Sequence, residues 1–257
     1  MNRIPRPLLI QAGTILLFLA LWEIVGESQL LFRGIVPSVL EILGAAWMQV
    51  STGFVWPHFL VTTYEAFAGF AAAALSAIPL GILLGANPFL RRIVEPPILY
   101  FAATPKIILF PIFLMAFGAQ LESKMAMAAV SGFFPLAINA TLGAASINEI
   151  FLKVAKSVGA SRLQVMTRVY LPSMLLPIFA GMRLALGASI VGAILGELKV
   201  SNAGLGFIII QAFNHFRIAE MYASILLTFF FAAGVNLLMS LILGKVRRFT
   251  PERGIGW

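Results

Sequence analysis

The 257 residues contain no cysteine, no aspartate and only two histidines, His58 and His215. Without thiols, disulfides and thiolate metal sites are excluded. All ten acidic residues are glutamates, so a Ser-His-Asp triad and a paired-Asp acid/base device lack their parts. The histidines are far apart with no second ligand at useful spacing, and no metal or catalytic residue is assigned. A phosphate-binding G-x4-G-K-[ST] loop is also missing, because Gly244-Lys245 is followed by Val246. With no Asp to hold Mg²⁺ either, any ATP that powers this protein must bind another polypeptide. Charge itself is scarce. Only 11% of residues are charged, against roughly a quarter in soluble domains, so the chain is solvated by lipid.

What is present agrees with that. Hydrophobic residues make up 60% and the mean hydropathy is +0.97. A helix needs about 20 apolar residues to cross the hydrocarbon core. Six stretches qualify: residues 8–26, 60–86, 97–117, 124–145, 174–196 and 219–244. The first continues to Gly26 without a cleavage-like A-x-A site, so it reads as a retained helix rather than a signal peptide. The apolar piece 203–214 is too short to span and reads as re-entrant or interfacial. All of this fits one domain, residues 1–257.

The net charge of +8 would suggest nucleic acid in a soluble protein; here it follows the topology rule for membranes. With the N-terminus inside, twelve cations fall on inside segments: Arg3, Arg6, Arg91, Arg92, Lys153, Lys156, Arg162, Arg168, Lys245, Arg247, Arg248 and Arg253. Four fall outside: Arg33, Lys124, Lys199 and Arg217. The excess places both termini in the cytoplasm. Lys106 and Arg183 lie within spans.

Small residues recur every fourth position in two spans. In the second they are Gly69, Ala73, Ala77, Gly81 and Gly85; in the fifth, Gly181, Ala185, Ser189 and Ala193. That spacing puts each set on one helix face, where backbones can approach closely. Ahead of the second span, Pro37-Ser38-Val39-Leu40-Glu41 is a capping-box signature that opens a short outer helix carrying Trp47.

Between the fourth and fifth spans lies KVAKSVGASRLQVMTRVYLPS, residues 153–173. The pattern is amphipathic helix, Gly159, a second amphipathic helix, then Leu171-Pro172. Glycine relieves a left-handed turn, Ser161 can cap the second helix, and Pro172 sits where a span begins. The segment 148–172 therefore reads as a rigid helical elbow on the positive side, suited to a groove on a soluble partner.

At these residues the sequence resembles the permeases of binding-protein-dependent ABC importers, with their cytoplasmic E-A-A-x3-G-x9-I-x-L-P loop. Aligned on Gly159, the G, L and P positions match at Gly159, Leu171 and Pro172, and Val169 replaces Ile. Of the first three places only Ala155 matches; Lys153 and Val154 stand where Glu and Ala are usual. Further pieces resemble the sulfonate, taurine and nitrate branch: Ile35-Val36-Pro37-Ser38, Gly81-Ile82, Pro105-Lys106, Phe133-Phe134-Pro135, Asn139-Ala140-Thr141, Gly181-Met182-Arg183, Gly196-Glu197 and Gly204-Leu205-Gly206. Their order covers most of the chain.

The resemblance implies an all-α, six-transmembrane-helix permease bundle of the type I ABC importers, with cytoplasmic coupling helices. It implies a second permease copy, ABC ATPase subunits carrying ATP and Mg²⁺, and a periplasmic or lipoprotein substrate-binding protein. The implied location is the inner membrane; nucleic acid is not a partner. Lys153, Ala155, Lys156, Gly159, Ser161, Arg162, Arg168, Leu171 and Pro172 would then form the ATPase-coupling surface, with no catalysis on this chain. The implied solute is small: a sulfonate, taurine, nitrate or similar.

Charged and polar residues inside spans are functional candidates by default. Glu65, near the outer end of span two, can snorkel outward or serve the pathway. Lys106 follows a proline and can serve freed carbonyls or attract an anion. Arg183, deep in span five, can pair structurally or gate the path. Asn139 can line that path or bond between helices, and Glu197 can brace the loop carrying Gly204 and Gly206. The alternative, a self-sufficient ion-coupled carrier, would need internal repeats and intramembrane ion ligands. The sequence shows no convincing repeat, and Glu65 is its only carboxylate well inside a span.

Overall fold

The computed structural model describes residues 6–28 and 35–249. Arg3, Arg33 and Arg253 of the charge count lie outside this part, as do the side chains of Arg6, Lys245, Arg247 and Arg248. All regular elements among the described residues are helices, the fold class that the apolar composition dictates, since lipid leaves backbone groups no external partner.

Helix α1 (Arg6–Ser28) is 23 residues long, enough to cross a bilayer. Helix α2 (Val39–Ser51) opens with a complete capping box between Ser38 and Glu41. Next come α3 (Val55–Ala86), α4 (Pro88–Ala103), a 3₁₀ turn (Lys106–Leu109), α5 (Phe110–Phe117) and α6 (Leu121–Ala145). The elbow is α7 (Glu149–Ser157) and α8 (Arg162–Val165), joined by a π-helical turn (Met166–Tyr170) to α9 (Leu171–Lys199). Helices α10 (Leu205–Asn214) and α11 (Ile218–Phe249) complete the chain. Among the described residues four segments are long and apolar enough to cross: Val55–Ala86, Leu121–Ala145, Arg162–Lys199 and Ile218–Gly244.

The stretch 97–117, expected as one span with a proline near its middle, lies in a bent pair of helices. Pro88–Ala103 and Lys106–Phe117 meet at 94°. The cause is Pro105, which forbids the helical conformation to the residue before it. Thr104 is accordingly extended, with φ −72° and ψ 139°. A second expectation also changes. The second elbow helix does not stop before span five but runs into it through the π turn. Pro172 has no N–H to donate and its ring crowds the carbonyl four residues back. One wider turn, closed by Leu171 N–H on the Met166 carbonyl, absorbs the conflict.

The core is α3, α6 and α9. The four-residue stripe of α3 explains its packing. A Cβ added at Gly69, Gly81 or Gly85 would lie 2.4 Å from the Cβ of Ala128, Ala140 or Ala144 respectively. The constant offset means that α3 and α6 run parallel, backbone nearly against backbone. Helix α9 packs antiparallel on α6, with Gly181 against Asn139, Gly192 against Ser131 and Gly196 against Lys124. Between lipid-facing helices no hydrophobic force separates core from surface, so close small-residue packing is what holds such a bundle.

Peripheral helices tie on by specific bonds. The Gln49 amide donates to the Glu220 carbonyl at 3.1 Å, and Ser224 Oγ donates to Gln49 Oε1 at 3.1 Å. These join α2 to α11. The Trp22 indole N–H reaches the Pro37 carbonyl at 3.1 Å, tying α1 to the start of α2.

Candidate functional site

The elbow is shaped by local backbone chemistry. Asn148 caps α7 through Oδ1, which accepts from Ile150 N–H at 2.9 Å. At the other end Gly159 takes φ +67°, a conformation costly for residues with a Cβ. That reversal lets Ala160 N–H reach the Ala155 carbonyl at 2.9 Å and Gly159 N–H the Lys156 carbonyl at 3.1 Å, the double bond pattern of a Schellman stop. Two residues on, Ser161 Oγ accepts from Gln164 N–H at 3.3 Å while Gln164 Oε1 accepts from Ser161 N–H at 2.8 Å. One helix stops and the next starts within four residues, and the second is continuous with α9. The elbow is thus a rigid extension of a core helix.

Its surface is apolar and basic. Ile150 and Val154 of α7 and Val158 just past its end, four residues apart, are 61%, 56% and 75% exposed. Leu163 is exposed as well. Lys153, Lys156, Arg162 and Arg168 are exposed around them, and Lys153 pairs with Glu149 at 3.3 Å. So open an ion pair contributes little. Ala155 is buried, Leu171 is 39% exposed and Pro172 is exposed. An exposed apolar ridge ringed by cations, outside the spans, is a surface that needs a partner.

The opposite end of the bundle holds a polar cluster. Glu197 Oε1 accepts from Thr62 Oγ1 at 2.6 Å, and Glu197 Oε2 accepts from Gly206 N–H at 2.7 Å. Thr62 Oγ1 in turn accepts from Leu205 N–H at 2.8 Å, and His58 Nδ1 accepts from Gly204 N–H at 3.1 Å. Orphan N–H groups at the start of α10 are therefore met by α3 and α9 rather than by a local cap. Gly204, at φ +108°, lies so close that a Cβ there would collide with the Glu197 carboxyl.

Glu65 does not reach the outer interface. It is fully buried, beside Glu197 and Lys124, and neither carboxyl oxygen has a hydrogen-bond donor among the described residues. Lys124, counted above with the outer cations, is also buried, at 1% exposure, and donates to the carbonyls of Ala119 at 2.7 Å and Gln120 at 3.0 Å. Gly196 makes the room for it. The sequence reasoning missed Lys124; its signal was a glycine next to Glu197.

The other candidates stay separate. Lys106 Nζ donates to the Ala102 carbonyl, capping α4 above the bend, and lies 5.4 Å from the Phe134 ring centroid. Asn139 donates to the Pro135 carbonyl of its own helix at 2.8 Å and packs on Gly181. Arg183 is exposed, and its Nε donates to Asn236 Oδ1 on α11 at 2.7 Å.

A helical membrane bundle with a rigid basic elbow continuous with one of its core helices is the architecture of a membrane component with a docking surface. Its sequence agrees. The chain belongs to the family of binding-protein-dependent transport system inner membrane components, whose profile matches residues 77–249. It is the permease subunit of an ABC importer. Its relatives include the taurine transport system permease protein of Escherichia coli (strain K12), 28% identical over 97% of this chain and 91% of the relative. Another is the riboflavin transport system permease protein of Chloroflexus aurantiacus, 30% identical over 76% of this chain and 73% of the relative. The fold is shared with the MetNI methionine ABC transporter in inward-facing conformations, with a TM-score of 0.62 and 21% identity, covering 75% of this chain and 94% of that one.

Proposed function

We propose that two copies of this chain form the transmembrane unit of an ATP-driven importer, with each elbow seated in a groove of a separate ABC ATPase subunit. The exposed ridge of Ile150, Val154 and Val158, ringed by Lys156, Arg162 and Arg168, carries this reading. ATP and Mg²⁺ are held by the ATPase, and no hydrolysis occurs on the permease. Both termini face the cytoplasm, and a periplasmic or lipoprotein-type binding protein delivers solute at the other end of the bundle. Closure of the ATPase pair is transmitted through α8 and the π turn into α9. The tightly packed α3, α6 and α9 then move together, which is alternating access by rigid-body motion. The solute is small and carries an oxyanion group, as a sulfonate, taurine, nitrate or a similar molecule does.

In cells making the complete system, labelled taurine, methanesulfonate and nitrate are offered in turn. Uptake of at least one is expected to stop on ATP depletion and to persist when the proton gradient is collapsed. The double variant Arg162→Glu, Arg168→Glu is expected to lower both that uptake and the ATPase recovered with the permease roughly tenfold, as loss of steering and rim charge does. Uptake that follows the proton gradient instead would contradict the proposal and favour a self-sufficient carrier.

A further inference from the structure

Arg183 poses a problem that the fold alone does not solve. It sits two residues from the middle of the stretch 174–196, about 3 Å from mid-membrane at 1.5 Å per residue. Neither membrane surface is within reach of its side chain. Yet it is exposed, on the face of α9 that turns away from α6. Charged groups at that depth face a bundle interior or a water-filled cavity, not lipid.

A groove is there to be filled. Ala180, Arg183, Leu184, Gly187 and Ala188 of α9, with Asn236 and Leu243 of α11, line a cavity of about 390 Å³. That is room for several waters or for a small solute with part of its hydration shell. Except for Leu184 and Leu243, the walls are short side chains that leave the guanidinium open. Arg183 itself is held in one orientation, because Asn236 Oδ1 accepts from its Nε at 2.7 Å. The two terminal NH₂ groups have no partner among the described residues. An aligned guanidinium with a free fork is the arrangement that grips planar or tetrahedral oxyanions through paired N–H bonds.

We infer that Arg183, oriented by Asn236, is an oxyanion-binding station on the solute path of this permease, taking a sulfonate, nitrate or carboxylate group. The inference rests on the importer reading, since it needs water rather than lipid against this face of α9. In a twofold pair, each copy contributes one guanidinium to the path. Asn236 is the positioning residue. Replacing it with leucine removes the acceptor that holds Nε and frees the fork to swing.

Because the chain has no cysteine, one introduced thiol reports this surface cleanly. Gly187 lies one turn from Arg183 on the same face, and a Cβ there meets nothing within 4 Å. The Gly187→Cys permease, in its complex with the ATPase, is treated with anionic sulfonatoethyl methanethiosulfonate or cationic trimethylammonioethyl methanethiosulfonate. The measurement is made nucleotide-free and with ATP bound, and each rate is divided by that reagent's rate with a free thiol. The anionic reagent is expected to react faster by roughly threefold or more, as one charge at about 6 Å in a wet path predicts. Adding Arg183→Gln is expected to abolish the preference, and adding Asn236→Leu to reduce it. No labelling by either reagent in either state would overturn the inference, because the face is then covered. Equal rates with Arg183 in place would also overturn it, because the path is then wet but does not select anions. Both readings come from the Arg183 background alone, so a failure of the double variants to fold does not rescue the idea. The importer reading is tested by ATPase co-purification, which neither labelling result affects.

Discussion

Replacing Gly81 with valine is expected to remove most of the folded permease from the membrane. The new Cβ would lie 2.4 Å from the Cβ of Ala140, 2.9 Å from the Thr141 nitrogen and 3.0 Å from the Ala137 carbonyl oxygen. Two of those three neighbours are backbone atoms of a core helix and cannot swing aside. Overpacking usually costs about 1–3 kcal/mol when side chains can yield; here α3 and α6 must separate along the ridge that Gly69 and Gly85 share. In mild detergent, thermal denaturation followed by size-exclusion fluorescence is expected to show a fall on the order of 10 °C, or no recoverable peak. Gly44→Val is the control, since a Cβ there meets nothing within 4 Å. An unchanged melting profile for Gly81→Val would mean that α3 and α6 are not in this contact.

The second large effect is at Glu197. Changing it to leucine strips an acceptor from Gly206 N–H and from the Thr62 hydroxyl, and takes away a carboxylate near the buried Lys124 ammonium. Buried polar groups left without partners cost about 1–3 kcal/mol each, and Lys124 keeps only Glu65 as a buried carboxylate partner. The start of α10 is expected to come loose from α3 and α9, with loss of protection at Leu205 and Gly206 in hydrogen exchange. Glu65→Gln also removes a carboxylate beside Lys124 but is expected to cost less, because neither Glu65 oxygen holds a hydrogen-bond donor among the described residues. The two carboxyl groups offer each other only acceptor oxygens unless a proton lies between them, and an amide supplies a permanent donor. Stability closer to that of the unaltered chain than to that of Glu197→Leu is therefore expected for Glu65→Gln. If Glu197→Leu folded as well as Glu65→Gln, the cluster would not be what anchors α10.

The elbow was legible in the sequence because its signals are local. A Schellman stop, a capping box and a Leu-Pro pair each involve residues within five positions, and their order needs no tertiary partner to be read. The small-residue stripes were legible for a related reason, since four-residue spacing defines a face. What that face meets is not written in periodicity. Glu65, Lys124 and Glu197 come from three helices distant in the chain, so each looked like a separate interfacial charge. Burial of Lys124 depends on Gly196 across the helix contact and on carbonyls at the start of α6, neither visible from Lys124 itself. Pro105 was read as freeing carbonyls, one of which Lys106 takes, and Pro172 was read as the start of a span and stands at the first turn of α9; how far each turns the chain was not legible. The first turns the chain through nearly a right angle; the second only widens one turn.

Co-purification from native membranes in mild detergent, with the stoichiometry of what accompanies the permease, tests the account most directly. An ABC ATPase at one copy per permease chain is expected, and Gly159→Arg is expected to release it. That substitution puts a side chain at φ +67°, where the stop between the elbow helices is strained, without touching the core. A permease that arrives alone and intact in several detergents, or one that keeps its ATPase after Gly159→Arg, would contradict the claim that the elbow is the coupling surface.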